Sequence, residues 1–340
     1  MSTFEPKITR LQPVTSVQTR LKAGRELAKD GRRDEALVEF EAAVRLDPNS
    51  KMARLAVGGV KARQKRYDEA IKEYREVLRI DPLNFQGHLR LARVYLAKKE
   101  NEKALEFANG ALGIDPKSPD AMLMVGTLLM AGGDYPGARA QFTKAVQINP
   151  RLVRARLHMS YLLKRLGEVD EAIAQVTAAM RIEPENAKVH SVLGRLHLFR
   201  NDYVGASEAF QKAIALDPDN HTEAFLGLAE AFVKSGKLEQ AEEALRRCPE
   251  HLESRPRIHK LWGDVHETRG LYRDAVEEYR AFAVLAAGES ADPPAGPVTS
   301  DPETADTQAW KELAASLRKA SDLDREQRKL EQIESLPGED

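Results

Sequence analysis

Leucine, alanine and small residues return at a fixed phase along this chain. Leu21, Leu55, Leu89, Leu123 and Leu157 stand 34 residues apart, and so do Ala36, Ala70, Ala104, Ala138, Ala172 and Ala206. A third series is always small: Gly24, Gly58, Ala92, Gly126, Ser160 and Gly194. The small and alanine series lie twelve residues apart, which lets two helices approach closely at those points. Between them fall Gly31, Lys65, Lys99, Gly133, Gly167 and Asn201. Glycine and Asn suit the left-handed conformation that ends a helix, so this position is a turn. Each period therefore predicts two helices joined by a short turn.

Proline closes every period. Pro48, Pro82, Pro116, Pro150, Pro184 and Pro218 keep the same 34-residue interval, and proline bars helical geometry at the residue before it. With the proline counted as position 32, the leucines are position 5, the small residues position 8, the turn position 15 and the alanines position 20. The pattern continues beyond the last of these prolines. Ala229, Gly236 and Ala241 restore it after a one-residue slip, giving a seventh unit from Thr222. An eighth, from Pro256, carries Trp262, Gly263, Gly270, Ala275 and Tyr279. Pro249 is expected to cut the second helix of the seventh unit short near Arg247 and to leave an irregular joint.

This unit length and residue pattern resemble the tetratricopeptide repeat family, whose repeat is a helix-turn-helix of 34 residues. The resemblance implies an all-α fold: an α-solenoid, a right-handed superhelix of about eight hairpins over residues 17–289, whose first helices line a concave groove with positions 2, 5, 9 and 12 facing in. One departure is local. Position 4, often Trp in the family, is Arg20, Arg54, His88, Met122, Arg156, His190, Phe225 and His259, so mostly long or polar side chains lie across that interface.

Composition narrows the function classes. The chain has 52 basic and 53 acidic residues, which leaves no basic excess for nucleic acid. No apolar run reaches the length of a membrane span, so no membrane insertion is expected. Residues 1–10 lack the apolar core of a secretory signal, and Cys248 is the single cysteine. Cys248 stands where other units place Ala43, Ala111, Ala145, Ala179 and Ala213, and so reads as a small packed residue. Together these features predict a cytoplasmic protein.

The sequence holds no glycine-rich phosphate loop, zinc-protease helix, Cys-x-x-Cys or nucleophile elbow, and it implies neither a catalytic residue nor a cofactor. His190 with His197, and His259 with His266, are spaced two helical turns apart, about 10 Å, too far to share one metal ion. They read as interface histidines.

Function is then expected on surfaces. Of the positions that the resemblance turns inward, position 5 offers Leu21, Leu55, Leu89, Leu123, Leu157 and Leu226, with Ser191 in the sixth unit. Two readings of this ladder stay open: an apolar floor for a ligand, or contacts between neighbouring first helices. Position 9 adds Arg25, Arg93, Tyr161, Arg195 and Glu230, and position 2 adds Met52, Arg154 and Lys188. Position 12 contributes Leu96, Met130, Lys164 and Leu198. Arginines beside apolar side chains suit a ligand that is part hydrophobic and part acidic, such as an extended peptide or an amphipathic helix of a partner protein. Glu223, Glu230, Asp264 and Glu267 reverse the sign in the last two units, as a solvated face or as a site for basic residues. The clamp by which some family members hold the acidic tail of heat-shock chaperones is absent, since its position-5 lysine appears only as Lys260 in the last unit.

The ends differ from the array. Residues 1–16 read as an extended arm and residues 290–306 as a flexible linker. Residues 307–336 carry Trp310, Leu313, Ala314 and Leu317 at positions 4, 7, 8 and 11 of a first helix with no second half. That half-unit suits a terminal cap; a helix lying in the groove and a coiled-coil contact are the other readings. The predicted function is a non-catalytic scaffold that captures a segment of a partner protein. Self-association through the arm or the C-terminal helix, and a role as a regulatory subunit of an enzyme complex, remain alternatives.

Overall fold

The structure, a computed structural model, describes residues 16–218, 222–248, 256–287, 311–319 and 322. Of the predicted arm only Ser16 is among them, and the predicted linker lies outside them. All regular structure among the described residues is helical, and the chain divides into two compact units, residues 1–148 and 149–340.

The first unit holds four hairpins. They are α1 (Val17–Lys29) with α2 (Arg33–Leu46), α3 (Lys51–Arg63) with α4 (Tyr67–Ile80), α5 (Phe85–Ala97) with α6 (Asn101–Ile114), and α7 (Pro119–Ala131) with α8 (Tyr135–Ile148). The second unit holds α9 (Val153–Arg165) with α10 (Val169–Ile182), α11 (Ala187–Phe199) with α12 (Tyr203–Leu216), α13 (Thr222–Lys234) with α14 (Leu238–Arg246), and α15 (Pro256–Thr268) with α16 (Tyr272–Ala287). A further helix, α17, covers 311–319.

Local sequence explains where these helices begin and end. Ser16, Ser50, Asn84, Ser118 and Asn186 each precede a first helix and accept a hydrogen bond from a backbone N–H of its first turn. Leu152 holds the same place before α9 and supplies no such bond. The turn adopts positive φ at Gly31, Lys65, Lys99, Gly133, Gly167, Asn201, Gly236 and Gly270. Lys65 and Lys99 therefore take a conformation that L-residues adopt only at a cost, because the register of the hairpin demands it there.

Packing within a hairpin follows a swap between two positions. The alanines of position 20 are fully buried, from Ala36 to Ala275. Opposite the small residue of position 8, the second helix inserts a ring: Phe40 over Gly24, Tyr74 over Gly58, Phe142 over Gly126, Phe210 over Gly194 and Tyr279 over Gly263. A methyl group on any of these glycines would come within 2.8 Å of a ring carbon. Where position 8 is larger, as Ala92 or Ser160, the facing residue is Ala108 or Val176. A ring is thus inserted only where position 8 is glycine, and a larger position 8 faces a smaller partner, which avoids overlap in a dense interior.

The position-4 departure from the family pattern turns into a polar strap. Arg54, His88, Arg156 and His190 hydrogen-bond the carbonyl of the preceding helix-ending proline, six residues back. Arg20, Arg54 and His259 also pair with an acid nineteen residues on, at Glu39, Glu73 and Glu278. Successive hairpins within each unit are also tied side chain to side chain. Gln64 donates to Asp34 and Lys98 to Asp68 in the first unit, and Arg200 to Asp170 and Arg269 to Glu239 in the second. Such exposed links add little energy, and their value lies in register.

The truncation anticipated from Pro249 is present: α14 has 9 residues where other second helices of the array have at least 14. The joint itself falls at 249–255, outside the described residues. Cys248 is half-buried and packs against the core that α12 to α15 build. Beyond α16, α17 closes the last hairpin, with Ala314 and Leu317 buried against Ala275, Val276 and Tyr279.

Candidate protein-binding face

In the first unit the face assigned to a ligand is mixed. Arg25 is exposed, Met52 is 55% exposed, and Leu55, Arg93 and Leu96 are half-buried. The leucine ladder is mostly inside. Leu21, Leu89 and Leu123 are at most 4% exposed, and Met130 is buried as well. Their burial corrects the expectation of a surplus apolar floor, because neighbouring first helices pack through position 5 and consume that surface. Leu55 is the exception, partly open beside Met52.

The second unit repeats the arrangement with more polar character. Leu157 and Leu226 are buried, while Lys188 is exposed and Arg154, Tyr161, Lys164, Arg195 and Leu198 are half-buried. Arg195 donates to the Tyr161 hydroxyl and stacks on that ring, its guanidinium carbon 5.4 Å from the ring centre. Lys164 lies over the Phe199 ring at 5.0 Å. These contacts fix long cationic side chains that would otherwise lose entropy on binding. Burial first, and the charges of Lys188 and Arg154 second, push the His158 pKa down to about 4, so the ring is neutral at neutral pH.

The acidic end is not an open acidic floor. Glu230 is buried and accepts from Arg257 at 2.6 Å, and the same guanidinium reaches Glu223 at 2.8 Å. Desolvation pulls the Arg257 pKa down, but the two carboxylates outweigh it and raise the value overall. Lys260 is buried between Asp264 at 3.0 Å and Asp322 at 3.1 Å, and Arg318 of α17 pairs with Glu267 at 3.2 Å. The Tyr279 hydroxyl donates to Asp264 and Glu267, at 2.8 and 2.9 Å. Burial, followed by these carboxylates, raises its pKa. Glu230 and its neighbours thus carry structure, and the expected change of sign is cancelled within the chain.

Among the described residues no group of His, Cys, Asp and Glu is placed to hold a metal ion, and no helix is long and apolar enough to cross a membrane. The His190 Nε2–H donates to the Pro184 carbonyl, 2.8 Å away, and His197 meets Asp202 at 2.8 Å. His259 pairs with Glu278, and His266 stacks on Trp262. All four stand at helix interfaces.

Sequence profiles of the tetratricopeptide repeat match residues 21–85, and then 61–125, 129–196 and 199–262. The chain belongs to the tetratricopeptide repeat family. No curated protein matches it in sequence. Among solved structures, this tetratricopeptide repeat chain resembles the Cut9–Hcn1 hetero-tetramer of the APC/C at 18% identity and a TM-score of 0.57, covering 65% of this chain and 44% of that one. It therefore spans less than half the length of that relative. PilW, a type IV pilus biogenesis factor, matches at 20% identity and TM-score 0.54 over 60% of this chain and 93% of its own. Pseudomonas aeruginosa PilF matches at 20% and 0.51, over 63% and 95%. At these identities the likeness concerns the fold. Tetratricopeptide repeat arrays are typically scaffolds for protein interaction, and this chain has the repeats of one.

Two cationic residues near the first-unit face escaped the reading by inward positions. Arg63 and Arg90 stand at positions 13 and 6, one turn away from positions 9 and 2 of their helices.

Proposed function

We propose that the chain is a cytoplasmic scaffold that binds a peptide segment or amphipathic helix of a partner protein along the first-helix faces, and that the segment is part apolar and part acidic. The observation that carries this reading is the pairing of accessible apolar side chains with cations in the first unit: Met52, Leu55 and Leu96 beside Arg25 and Arg93. Methionine and leucine offer adaptable apolar contact, and the arginines supply directed donors for carboxylates. Leu21, Leu89, Leu123, Leu157, Leu226 and Met130 act behind this surface, holding first helices together. In the second unit Arg154, Tyr161, Lys164, Lys188, Arg195 and Leu198 form the corresponding face. The helix α17 serves as the terminal cap, because it covers the apolar surface of Ala275 and Val276 and neutralises Glu267.

The test is partner capture from the native cell by the full chain and by a Met52→Asp, Arg93→Glu double variant. Both positions leave the hairpin core intact, so helicity and melting should stay close to the parent's. Loss of capture by the folded variant is the expected result; undiminished capture removes the first-unit face from the binding surface.

A further inference from the structure

The charges at the end of the second unit are neutralised in two different ways. Glu223 and Glu230 meet Arg257, which belongs to α15 and so to the repeat array itself. Glu267 and Lys260 instead meet Arg318 and Asp322, which lie beyond the array. Array helices follow one another closely, but residues 288–310 stand between α16 and α17. A stretch of that length reaches on the order of 70 Å when extended, so α17 can leave its place while α15 and α16 stay folded.

The contact between α17 and the array is uneven. The Glu267 side chain is 14% exposed, whereas Arg318, which pairs with it at 3.2 Å, is 48% exposed. On the array side the charged groups are already arranged: Lys260 holds Asp264 at 3.0 Å within α15, and the Tyr279 hydroxyl shares its one proton between Asp264 and Glu267. On the α17 side the ion pairs are largely solvated and contribute little. Apolar burial there amounts to Ala314 and Leu317, with Leu313 half-buried. Among the described residues, Glu267 forms no ion pair other than that with Arg318. Departure of α17 therefore leaves a preformed cradle with a carboxylate in need of a cation.

We propose that α15 and α16 form a helix receptor, closed at rest by α17, which accepts in its place an amphipathic helix of a partner protein that presents an arginine or lysine to Glu267. The docked helix shows what such an occupant needs. A small residue stands at Ala314, a leucine three positions on at Leu317, and a base next to it at Arg318, all on one helical face. An acid four residues after the base, as at Asp322, completes the pair with Lys260. Arginine suits the base best, because its fork meets a carboxylate in directed bonds. The receptor lies in the second unit alone and does not depend on the first-unit face. In this arrangement α17 is the built-in competitor that a partner helix must displace.

A fluorescent peptide of residues 307–324 serves as the probe helix, and anisotropy follows its binding to the full chain. The parent is compared with two full-length variants that loosen α17, Leu317→Asp and Arg318→Glu; the second alters an exposed side chain outside the array and does not endanger its folding. The receptor requires saturable binding at least about tenfold tighter to either variant than to the parent, because a tethered competitor acts at a roughly millimolar effective concentration. On the Leu317→Asp chain, a peptide carrying Arg318→Glu should bind about tenfold more weakly, the scale of one charge-assisted bond. Adding Glu267→Gln to that chain should weaken the unaltered peptide by about the same factor. Equal binding to the parent and both variants, or binding to none of them, overturns the receptor. Undiminished binding of the Arg318→Glu peptide overturns the requirement for a base. Light scattering separates the other occupant: a parent dimer that Leu317→Asp dissolves assigns the cradle to α17 of a second copy and overturns the partner helix.

Discussion

A methyl group on Gly126 would sit 2.6 Å from Cε1 of Phe142, closer than any relaxed carbon contact. That single approach sets the spacing of α7 and α8. Gly126→Ala gains up to about 1 kcal/mol of helix propensity, while overpacking a filled core costs about 1–3 kcal/mol. The variant should be destabilised by about 1 kcal/mol in urea unfolding. Adding Phe142→Val should recover part of the loss, since Ser160 with Val176 is a working pair of that size.

Lys99 tests the turn. It holds φ of 61°, where a Cβ is penalised by about 1–2 kcal/mol, and its side chain is exposed. Lys99→Gly removes the penalty and adds entropy to the unfolded chain, for a net gain of about 0.5–1 kcal/mol. A thermal melt of the variant should move upward. The same change at exposed Lys103, inside α6, should lower stability by about 1 kcal/mol.

His158 predicts a pH dependence with a definite sign. Its pKa is about 4 in the fold, against the ordinary 6.5 when unfolded. Above 6.5 both states are neutral there and the residue contributes nothing to the slope. As pH falls from 6.5 towards 4, the unfolded state takes up the proton first, so stability is lost at up to about 1.4 kcal/mol per pH unit. Urea unfolding of the parent and of His158→Gln across this window should diverge by that slope. Parallel curves would mean that the ring titrates normally.

The docked helix α17 makes the last prediction. Leu317 is buried against α16, and Arg318 pairs with Glu267. Leu317→Asp places an unpaired charge in that contact, at about 2–4 kcal/mol, enough to detach the helix. Hydrogen exchange should then accelerate in 311–319 and in α16, while α1 to α8 keep their protection. Unchanged exchange in 311–319 would show that the segment is held by something other than Leu317.

Much of this was legible before any coordinates. The helix starts at Val17, Lys51, Phe85, Pro119, Val153, Ala187, Thr222 and Pro256 fall at the first position of each counted unit. The turns at Lys65 and Lys99 also followed from phase, against the preference of the residue itself. The compensation between Gly126 with Phe142 and Ala92 with Ala108 was equally present in the residue order. It needed only the second helix to be read against the first. The candidate site was legible in part. Positions 2, 9 and 12 yielded accessible side chains such as Met52, Arg25 and Leu96, but position 5 did not.

The failures share one cause. Leu89 looks like Leu55 along the chain, yet one is buried and the other partly open, because burial depends on how the next hairpin leans. Glu230 carries the same charge in any listing of residues, but Arg257, 27 positions later, cancels it. Arg90 is an ordinary cation along the chain until Gly59 leaves its guanidinium room near the Tyr74 hydroxyl. A 34-residue period is a property of backbone geometry, since turns, caps and helix lengths are local and each residue votes on its own conformation. Exposure and net charge at a point are sums over neighbours from other helices. Hence the residue order determined the hairpins and their number, and the packing of one hairpin on the next decided which side chains face a partner.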